Sequence, residues 1–400
     1  MLSPSLTEAD TEYASWVNFN QQSNSRSGIN SLHRGWESQL ASGFPTLSSS
    51  NLEPLKAAIV RYKSIVSAGG WEPVPMLKLR AGTRHPAITT LRRRLMITGD
   101  LSERAGLSSR FDSYVVRALM AFQARHGLKA TGAIDKSTLL ALNVSAPARL
   151  KQLQINLGRL RSHSKSAAKK YVVVNIPAAQ IEAVENDAVV SRHAAVVGKV
   201  DRRTPLLKSR IHQINFNPYW HIPQSIVRKD LVPKARMYAR RGKDILGEYR
   251  IDAYAGGKKL DPNRINWNSS AVYSYSYRQQ PWVDNSMGFV KINFHNSHSV
   301  YMHDTPSKSL FNRNFRAHSS GCVRVQNVQQ LVSWLLEPNG WNIGAVSSIK
   351  QSGERKDVNM KRSVPVYFVY VTAWATKDGR VSFRRDLYGR DRVGTMASAY

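Results

Sequence analysis

The 400-residue chain has a single cysteine, so neither an internal disulfide framework nor a cysteine-rich zinc centre can form. Acidic residues are also scarce: 27 Asp and Glu stand against 58 Lys and Arg, a formal net charge of +31. No stretch approaches the roughly 18 consecutive apolar residues of a membrane-crossing helix. The opening MLSPSLTEADTEYASW has neither the basic start nor the apolar run of a secretory signal. If the protein works outside the cytoplasm, its export segment is atypical or lies elsewhere. The positive excess suits polyanions, whether nucleic acid, lipid headgroups or acidic envelope polymers. It is spread over short runs (Arg92-Arg93-Arg94, Lys169-Lys170, Arg202-Arg203, Arg240-Arg241, Arg384-Arg385). That pattern reads as a generally basic, solvated surface. No nucleic-acid reader motif accompanies it, and no nucleic-acid partner is expected.

With 42% hydrophobic and 21% charged residues the chain reads as folded, and its length predicts two or three domains. Residues 1–50 are rich in Ser, Asn and Gln and are expected to form an arm, mobile or draped over another domain. A helix follows, with Leu55, Ile59, Tyr62 and Ile65 on one face and Gly69-Gly70 as its stop, so 1–75 forms the first unit. Residues 76–145 read as three short helices. Ile88, Leu91 and Leu95 mark the first, and Val115, Leu119 and Phe122 the second, capped by Asp112 and stopped by Gly127. Asp135 caps the third. Residues 146–169 form a helical linker that loosens into a Ser/Lys-rich connector. From 170 to 400 the pattern becomes β-rich, with turn signals at Asn186-Asp187 and Asp378-Gly379. Within it, about 228–285 reads as an insertion over the sheet, a lid.

A lone thiol is either an inert buried group or a nucleophile, and its neighbours decide. The segment VYMHDTPSKSLFNRNFRAHSSGCVRV favours the nucleophile. A thiol needs a base to become a thiolate at neutral pH, and the tetrahedral oxyanion needs backbone N–H groups close by. Small residues lead into Cys322, and Gly321 frees the backbone just before it. His303, at the end of an apolar strand 19 residues upstream, is the candidate base. His295, His298 and His318 compete for that role, each reading better as a surface or packing histidine.

Here the sequence resembles the L,D-transpeptidases with a YkuD-type catalytic domain, in the long Gram-negative form that carries a peptidoglycan-binding domain. The carrying stretches are VVVNIPAAQIE, VVGKVDRRTP, INFNPYWHIPQSI, RQQPWVDNSMGFVKINFHN, VYMHDTPSKSLF, SSGCVRV and PVYFVYVTAW, together with FQARHGL and TLLALNV in the helical unit. The resemblance implies Cys322 as nucleophile and His303 as general base. It further implies that Gly321 and Ser320 lie in the oxyanion region, that Arg324 organises the site or meets stem-peptide carboxylates, and that Tyr301 is a wall of the site. Trp220, Arg278 and Trp282 are candidates for the lid and substrate groove, with core or structural roles as the competing reading for the first two. The implied fold is α+β: a mainly antiparallel β-sandwich or barrel-like catalytic domain with a lid insertion, preceded by a small helical peptidoglycan-binding domain. The implied reaction attacks the L-centre–D-Ala bond of a peptidoglycan tetrapeptide stem, releases D-Ala and transfers the acyl group to a diaminopimelate amine, giving a 3→3 cross-link in the periplasm. Carbapenems are the expected covalent inhibitors. Stem peptides are the expected partners and anionic envelope polymers a further candidate; no metal or organic cofactor is implied.

Two other readings stay open: a carboxypeptidase or D-amino-acid exchanger using the same thioester, and a wall-binding protein without catalysis. Three departures from the family pattern stand out. Ser320 occupies a position where many relatives carry His, with His318 two positions earlier as a possible substitute. Trp282 follows Pro281 where glycine is usual. Asp304 follows the base where shorter relatives have Gly.

Overall fold

The structure, a computed structural model, describes residues 45–76, 79–163, 168–392 and 394. The arm expected over 1–50 therefore lies outside the described residues except for its end. That end is draped: Thr46 N–H donates to Glu182 Oε2 at 2.8 Å, and Leu47 is buried. The fold is α+β, as the sequence implies.

Helix α1 (Leu52–Ser67) is followed by three short helices, α2 (Ala87–Ile97), α3 (Ser113–Arg125) and α4 (Lys136–Leu142), and then by α5 (Ala146–His163). The short helices close on one apolar cluster in which Ile88, Leu91, Leu95, Val115, Leu119 and Phe122 are fully enclosed. Asp112 caps α3 by accepting from the N–H groups of Tyr114 and Val115, and Asp135 caps α4 through Thr138. Gly127, at φ +70, supplies the left-handed stop.

Two residues of the basic run at 92–94 are exceptions to a solvated basic surface, while Arg93 between them is exposed. Arg92 and Arg94 are 0% and 2% exposed. Arg92 donates to the carbonyls of Ala105 and Gly106 and pairs with Asp112. Arg94 donates to Leu142 O at 2.8 Å and stacks over Trp71 at 3.7 Å. A guanidinium spreads its charge over a plane, so carbonyls and ring faces can satisfy it where water is absent. Arg94 still pays for its position, its pKa brought down to about 9 by burial.

The strands follow as β1 (Lys170–Asn175), β2 (Gln180–Glu185), β3 (Ala188–Gly198), β4 (Leu207–Phe216), β5 (Trp220–His221), β6 (Ile251–Ala255), β7 (Lys258–Lys259), β8 (Ser276–Gln279), β9 (Val290–Phe294), β10 (Met302–His303), β11 (Ala317–Ser319), β12 (Val323–Val325), β13 (Lys356–Val369), β14 (Ala373–Ala375) and β15 (Val381–Phe383). The large sheet runs β11-β3-β12-β10-β9-β4-β13-β1-β2, and β2 also pairs with β3, which closes it into a ring. Pairing is antiparallel except for β1 with β13, β10 with β12 and β11 with β3. The β2–β3 turn has Asn186 and Asp187 both at positive φ, as a tight hairpin turn requires. Strand β13 pairs with β4 over most of its length but with β1 only from Val366 to Val369.

β1 reads as an unbroken apolar run because both of its faces are covered. Val172 and Val174 point into the ring, towards helix α6 (Val328–Leu336) and its Leu331 and Leu335. Tyr171 and Val173 point outwards, where α1 and α5 cover them with Leu55, Tyr62, Leu153 and Leu160. Each such leucine contributes about 1.5–3 kcal/mol by leaving water.

Between β4 and β9 the chain builds a separate unit. It contains a helical run (Gln224–Ile226, a π-turn at Val227–Leu231, then Val232–Ala239) and the small sheet β5-β8-β6-β7. Its own apolar cluster runs from Trp220 to Met287 and draws in Tyr301 from the large sheet.

The helical unit is seated on β15. Arg125 donates to Val381 O at 3.0 Å, and Arg384 donates to Arg125 O at 2.9 Å. The His126 ring lies between those of Phe122 and Phe383. Burial holds His126 well below the usual imidazole pKa. Below about pH 6.5 the unfolded chain gains this proton and the folded chain does not, so stability is lost as the pH falls. His126→Phe keeps the stacking and is expected to flatten the loss between pH 6.5 and 5 by up to ~1.4 kcal/mol per pH unit. Urea unfolding at several pH values checks it, and an unchanged slope would contradict the assignment.

Candidate active site

Three short strands set the geometry. β10 pairs in parallel with β12, matching Met302 to Val323 and His303 to Arg324, and antiparallel with β9, matching His303 to Lys291. Residues matched across a ladder point to the same face. Met302, Ile292 and Val323 therefore enter the ring core, each 0% exposed, while Lys291, His303 and Arg324 line the opposite face. One alternation earlier, Tyr301 and Cys322 come to that same face, with Val323 N–H donating to Tyr301 O at 3.1 Å. The candidate nucleophile, the candidate base, Arg324 and Tyr301 thus form a four-residue tile.

His303 is 5% exposed, and its Nδ1 lies 2.5 Å from Asp304 O. A carbonyl only accepts, so Nδ1 carries the proton and Nε2 keeps its lone pair. Burial first, then the cations Arg324, Lys291 and Lys308, push its pKa down to about 3, which keeps the ring neutral. Asp304 is itself tied: its carboxylate accepts from Phe289 N–H and pairs with Lys308. A Cβ at Gly288 would lie 2.3 Å from Asp304 Oδ2, so this turn requires the glycine.

Cys322 keeps partial exposure, but its surroundings are dense, and burial raises the thiol pKa. Hydrogen bonds with Tyr301, then the charges of Lys291 and Arg324, oppose the rise. The Lys291 ammonium sits 4.5 Å over the Tyr301 ring, and Tyr301 packs against the apolar cluster that contains Trp220. Among the described residues no carboxylate lies within 4.0 Å of Arg324, and its Nε is buried without a hydrogen-bond partner. Burial brings its pKa down to about 10.

The turn before Cys322 is held from within and from the β3–β4 loop. Gly321 has φ +118, open to glycine and strained for other residues. Gly321 N–H donates to Ser319 Oγ at 3.2 Å, and that hydroxyl donates to Cys322 O at 2.5 Å. Thr204 Oγ1 donates to Gly321 O at 2.8 Å and accepts from Gly198 N–H at 2.8 Å. Tyr388, from the C-terminal segment, accepts from Thr204 N–H and donates to Gly198 O. His318 does not substitute for the missing family histidine. Its ring packs edge-on to Phe315, and its Nε2 meets Phe315 O. Ser320 is exposed and accepts from Arg202. The bonds around the nucleophile thus come from Ser319, Thr204 and Arg202.

The other candidates separate. Trp220 is 7% exposed and lines a cavity of about 180 Å³ within the inserted unit, with Ile222, Lys234, Tyr249 and Gln279, closed by Lys199 and Arg202 of the β3–β4 loop; Cys322 and His303 do not line it. Arg278 stacks on Tyr219 and Tyr254 and donates to the Tyr254 hydroxyl, a structural post. Trp282 is 56% exposed, with Arg250 over its ring. His295 stacks on His212 and His298 is exposed, so neither joins the tile. Among the described residues no three His, Cys, Asp or Glu side chains converge as metal ligands, and no helix is long and apolar enough to cross a membrane. Composition and spacing missed Lys291, Thr204, Arg202 and Tyr388. Only the strand pattern ending in KINF could have suggested Lys291, as a cation interrupting an apolar strand.

Residues 169–365 match the YkuD family, described as the L,D-transpeptidase catalytic domain, and residues 84–142 match a "putative peptidoglycan binding domain". A Haemophilus influenzae protein named "Putative L,D-transpeptidase" is 33% identical over 228 residues, covering 56% of this chain and 45% of that protein. The chain thus spans about half the length of that relative. Among solved structures, an L,D-transpeptidase from Xylanimonas cellulosilytica is 16% identical, covering 74% of this chain and 100% of that one, at a TM-score of 0.25. Another, from Mycobacterium smegmatis, is 13% identical over 51% of this chain and 59% of that one, at a TM-score of 0.24. Scores of this size do not by themselves establish a shared arrangement.

Lys291 predicts a measurable effect on the thiol. Lys291→Met removes a charge that opposes the raised pKa of Cys322, so the pH profile of iodoacetamide alkylation is expected to move upwards, with severalfold slower labelling at neutral pH. A profile that stays in place or moves down would remove Lys291 from the electrostatics of the site.

Proposed function

We propose, for a chain that carries a YkuD-type L,D-transpeptidase catalytic domain beside a peptidoglycan-binding domain, that Cys322 accepts the acyl group of a peptidoglycan tetrapeptide stem and passes it to a second stem. The observation that carries the reading is the tile: a thiol, a neutral imidazole with its Nε2 lone pair available, and a guanidinium with no carboxylate partner among the described residues, all on one face.

The donor stem is anionic, and Arg324 with Lys291 offers its carboxylates two desolvated cations. His303 Nε2 takes the thiol proton as the sulfur attacks the carbonyl carbon between the diaminopimelate L-centre and D-Ala. The resting pair is neutral, since burial raises the thiol and lowers the imidazole. Proton transfer therefore accompanies attack. Gly321 N–H is committed to Ser319, which leaves Cys322 N–H as the turn's donor to the oxyanion, while Gly321 contributes its backbone conformation. The tetrahedral centre collapses as the C–N bond breaks, His303 returns its proton to the departing D-Ala amine, and a thioester remains. The side-chain amine of a second stem's diaminopimelate attacks the thioester, loses a proton to His303 and forms the 3→3 cross-link. The C–S bond breaks as His303 hands that proton to the departing sulfur, which restores the thiol. Acting on cell-wall stems puts the work in the periplasm, and the inserted unit, whose apolar cluster takes in Tyr301, serves as the lid. The basic surface offers a secondary attraction to anionic envelope polymers.

Cys322→Ala is expected to abolish the covalent carbapenem adduct seen by intact-protein mass spectrometry, and an adduct of unchanged mass would overturn the nucleophile. With defined tetrapeptide muropeptides, cross-linked dimers are expected; tripeptides or D-amino-acid-exchanged stems alone would assign the same thioester to hydrolysis or exchange. Arg324→Met is expected to raise KM for the tetrapeptide donor at least tenfold, with a smaller change in kcat. An unchanged KM would remove its carboxylate role.

A further inference from the structure

We propose that Arg202 is a positioning residue that couples the seating of the inserted unit to the conformation of the nucleophile turn. The proposal rests on the reading of Cys322 as the acyl acceptor and adds how that site is assembled.

The β3–β4 loop grips the turn at three successive residues. Lys199 N–H donates to Ser319 O at 2.9 Å, Arg202 Nη1 donates to Ser320 Oγ at 2.9 Å, and Thr204 Oγ1 donates to Gly321 O at 2.8 Å. The loop itself is tightly folded: a Cβ at Gly198 would come within 2.2 Å of Arg202 O and 2.6 Å of Thr204 N. Little freedom is left between the three grips.

Of the three, Arg202 also forms an ion pair with the inserted unit. Its Nη1 meets Asp230 Oδ2 at 2.5 Å, and its Nη2 meets Asp230 Oδ1 at 3.1 Å, a fork of two charge-assisted bonds. Asp230 lies in the π-turn Val227–Leu231, a departure from regular helix of a kind that often marks functional positions. Both side chains are partly buried, at 18% and 29% exposure, so water screens the pair less than an ordinary surface pair. Arg202 and Asp230 also line the cavity together with Trp220, which belongs to the apolar cluster that Tyr301 packs against. One guanidinium therefore touches the mobile candidate, the cavity wall and the residue before Gly321. If the inserted unit lifts, Asp230 leaves, Arg202 loses its fixed orientation and Ser320 loses its donor. The turn that holds Cys322 N–H in place is then gripped at two points instead of three.

Asp230→Asn keeps shape and removes charge, Ser320→Ala removes the acceptor on the turn, and Arg202→Lys keeps charge but loses the fork. Circular dichroism and thermal melting establish that each variant folds. Two readouts are compared: hydrogen exchange of the peptides covering 224–239 and 319–322, and the rate of Cys322 acylation by a tetrapeptide donor. Asp230→Asn is expected to speed exchange in both segments together and to lower kcat/KM about tenfold, mostly through kcat. Ser320→Ala on that background adds little, because the bond it removes is already loosened. Arg202→Lys behaves like Asp230→Asn rather than like the parent. The coupling is overturned if exchange at 319–322 stays unchanged in Asp230→Asn, if the two losses multiply in the double variant, or if lysine restores the parent behaviour. Exchange needs no turnover, so a parent protein that never acylates at Cys322 would refute the reading of the site while exchange still decides the coupling.

Discussion

The parallel pairing of β10 with β12 covers only two residue pairs, yet the site depends on it. Parallel register puts matched residues on one face, and the chain must then travel from the end of β10 through a long excursion before β12 begins. In that excursion lie the Asp304 turn, the packing of Leu310 and Phe311 against Val196, and the edge strand β11. A slip of one residue would exchange His303 for Met302 on the reactive face and place the imidazole in an apolar interior. The fully buried Met302, Ile292 and Val323 oppose such a slip, so the hydrophobic core enforces the chemical register.

Electrostatics on that face is set by a conflict between burial and like charge. Lys291 and Arg324 flank His303 from the two neighbouring strands in a poorly hydrated place, and burial lowers the pKa of both. They also help to push His303 towards neutrality. Such an arrangement is costly alone and relaxes when anions arrive, either a thiolate or a substrate carboxylate. The cations and the neutral imidazole are thus two consequences of one arrangement, a face that an anion would stabilise.

The sequence made local features legible and left distant ones hidden. Asn186-Asp187, the caps Asp112 and Asp135 and the helical face of Ile88, Leu91 and Leu95 depend on neighbours a few residues away, and the structure has each of them. That Cys322 and His303 come together was readable because a strand end, a turn and a glycine lie between them in a short stretch. Thr204 with Tyr388, 184 residues apart, and Arg202 with Asp230, 28 apart, leave no periodicity to detect. The arginines misled for another reason. Charge runs are usually solvated, but Arg92, Arg94 and Arg149 find carbonyls or ring faces in the interior, and no composition count shows that. Ser320 was read as a gap in the family pattern, whereas in the fold it receives an arginine from another loop.

Because β13 meets β1 only from Val366 onwards, its first half leaves one side of a long strand without a neighbouring strand. An open edge of that length invites a second copy to add to the sheet. Three features discourage it. Lys356, Lys361 and Arg362 would face like charges in an approaching copy, Asn339 bonds Lys361 N–H and Asn359 O, and Pro365 brings no N–H to the ladder. Copies of this chain at high local density would meet along such an edge. This strand carries the means to keep them dispersed.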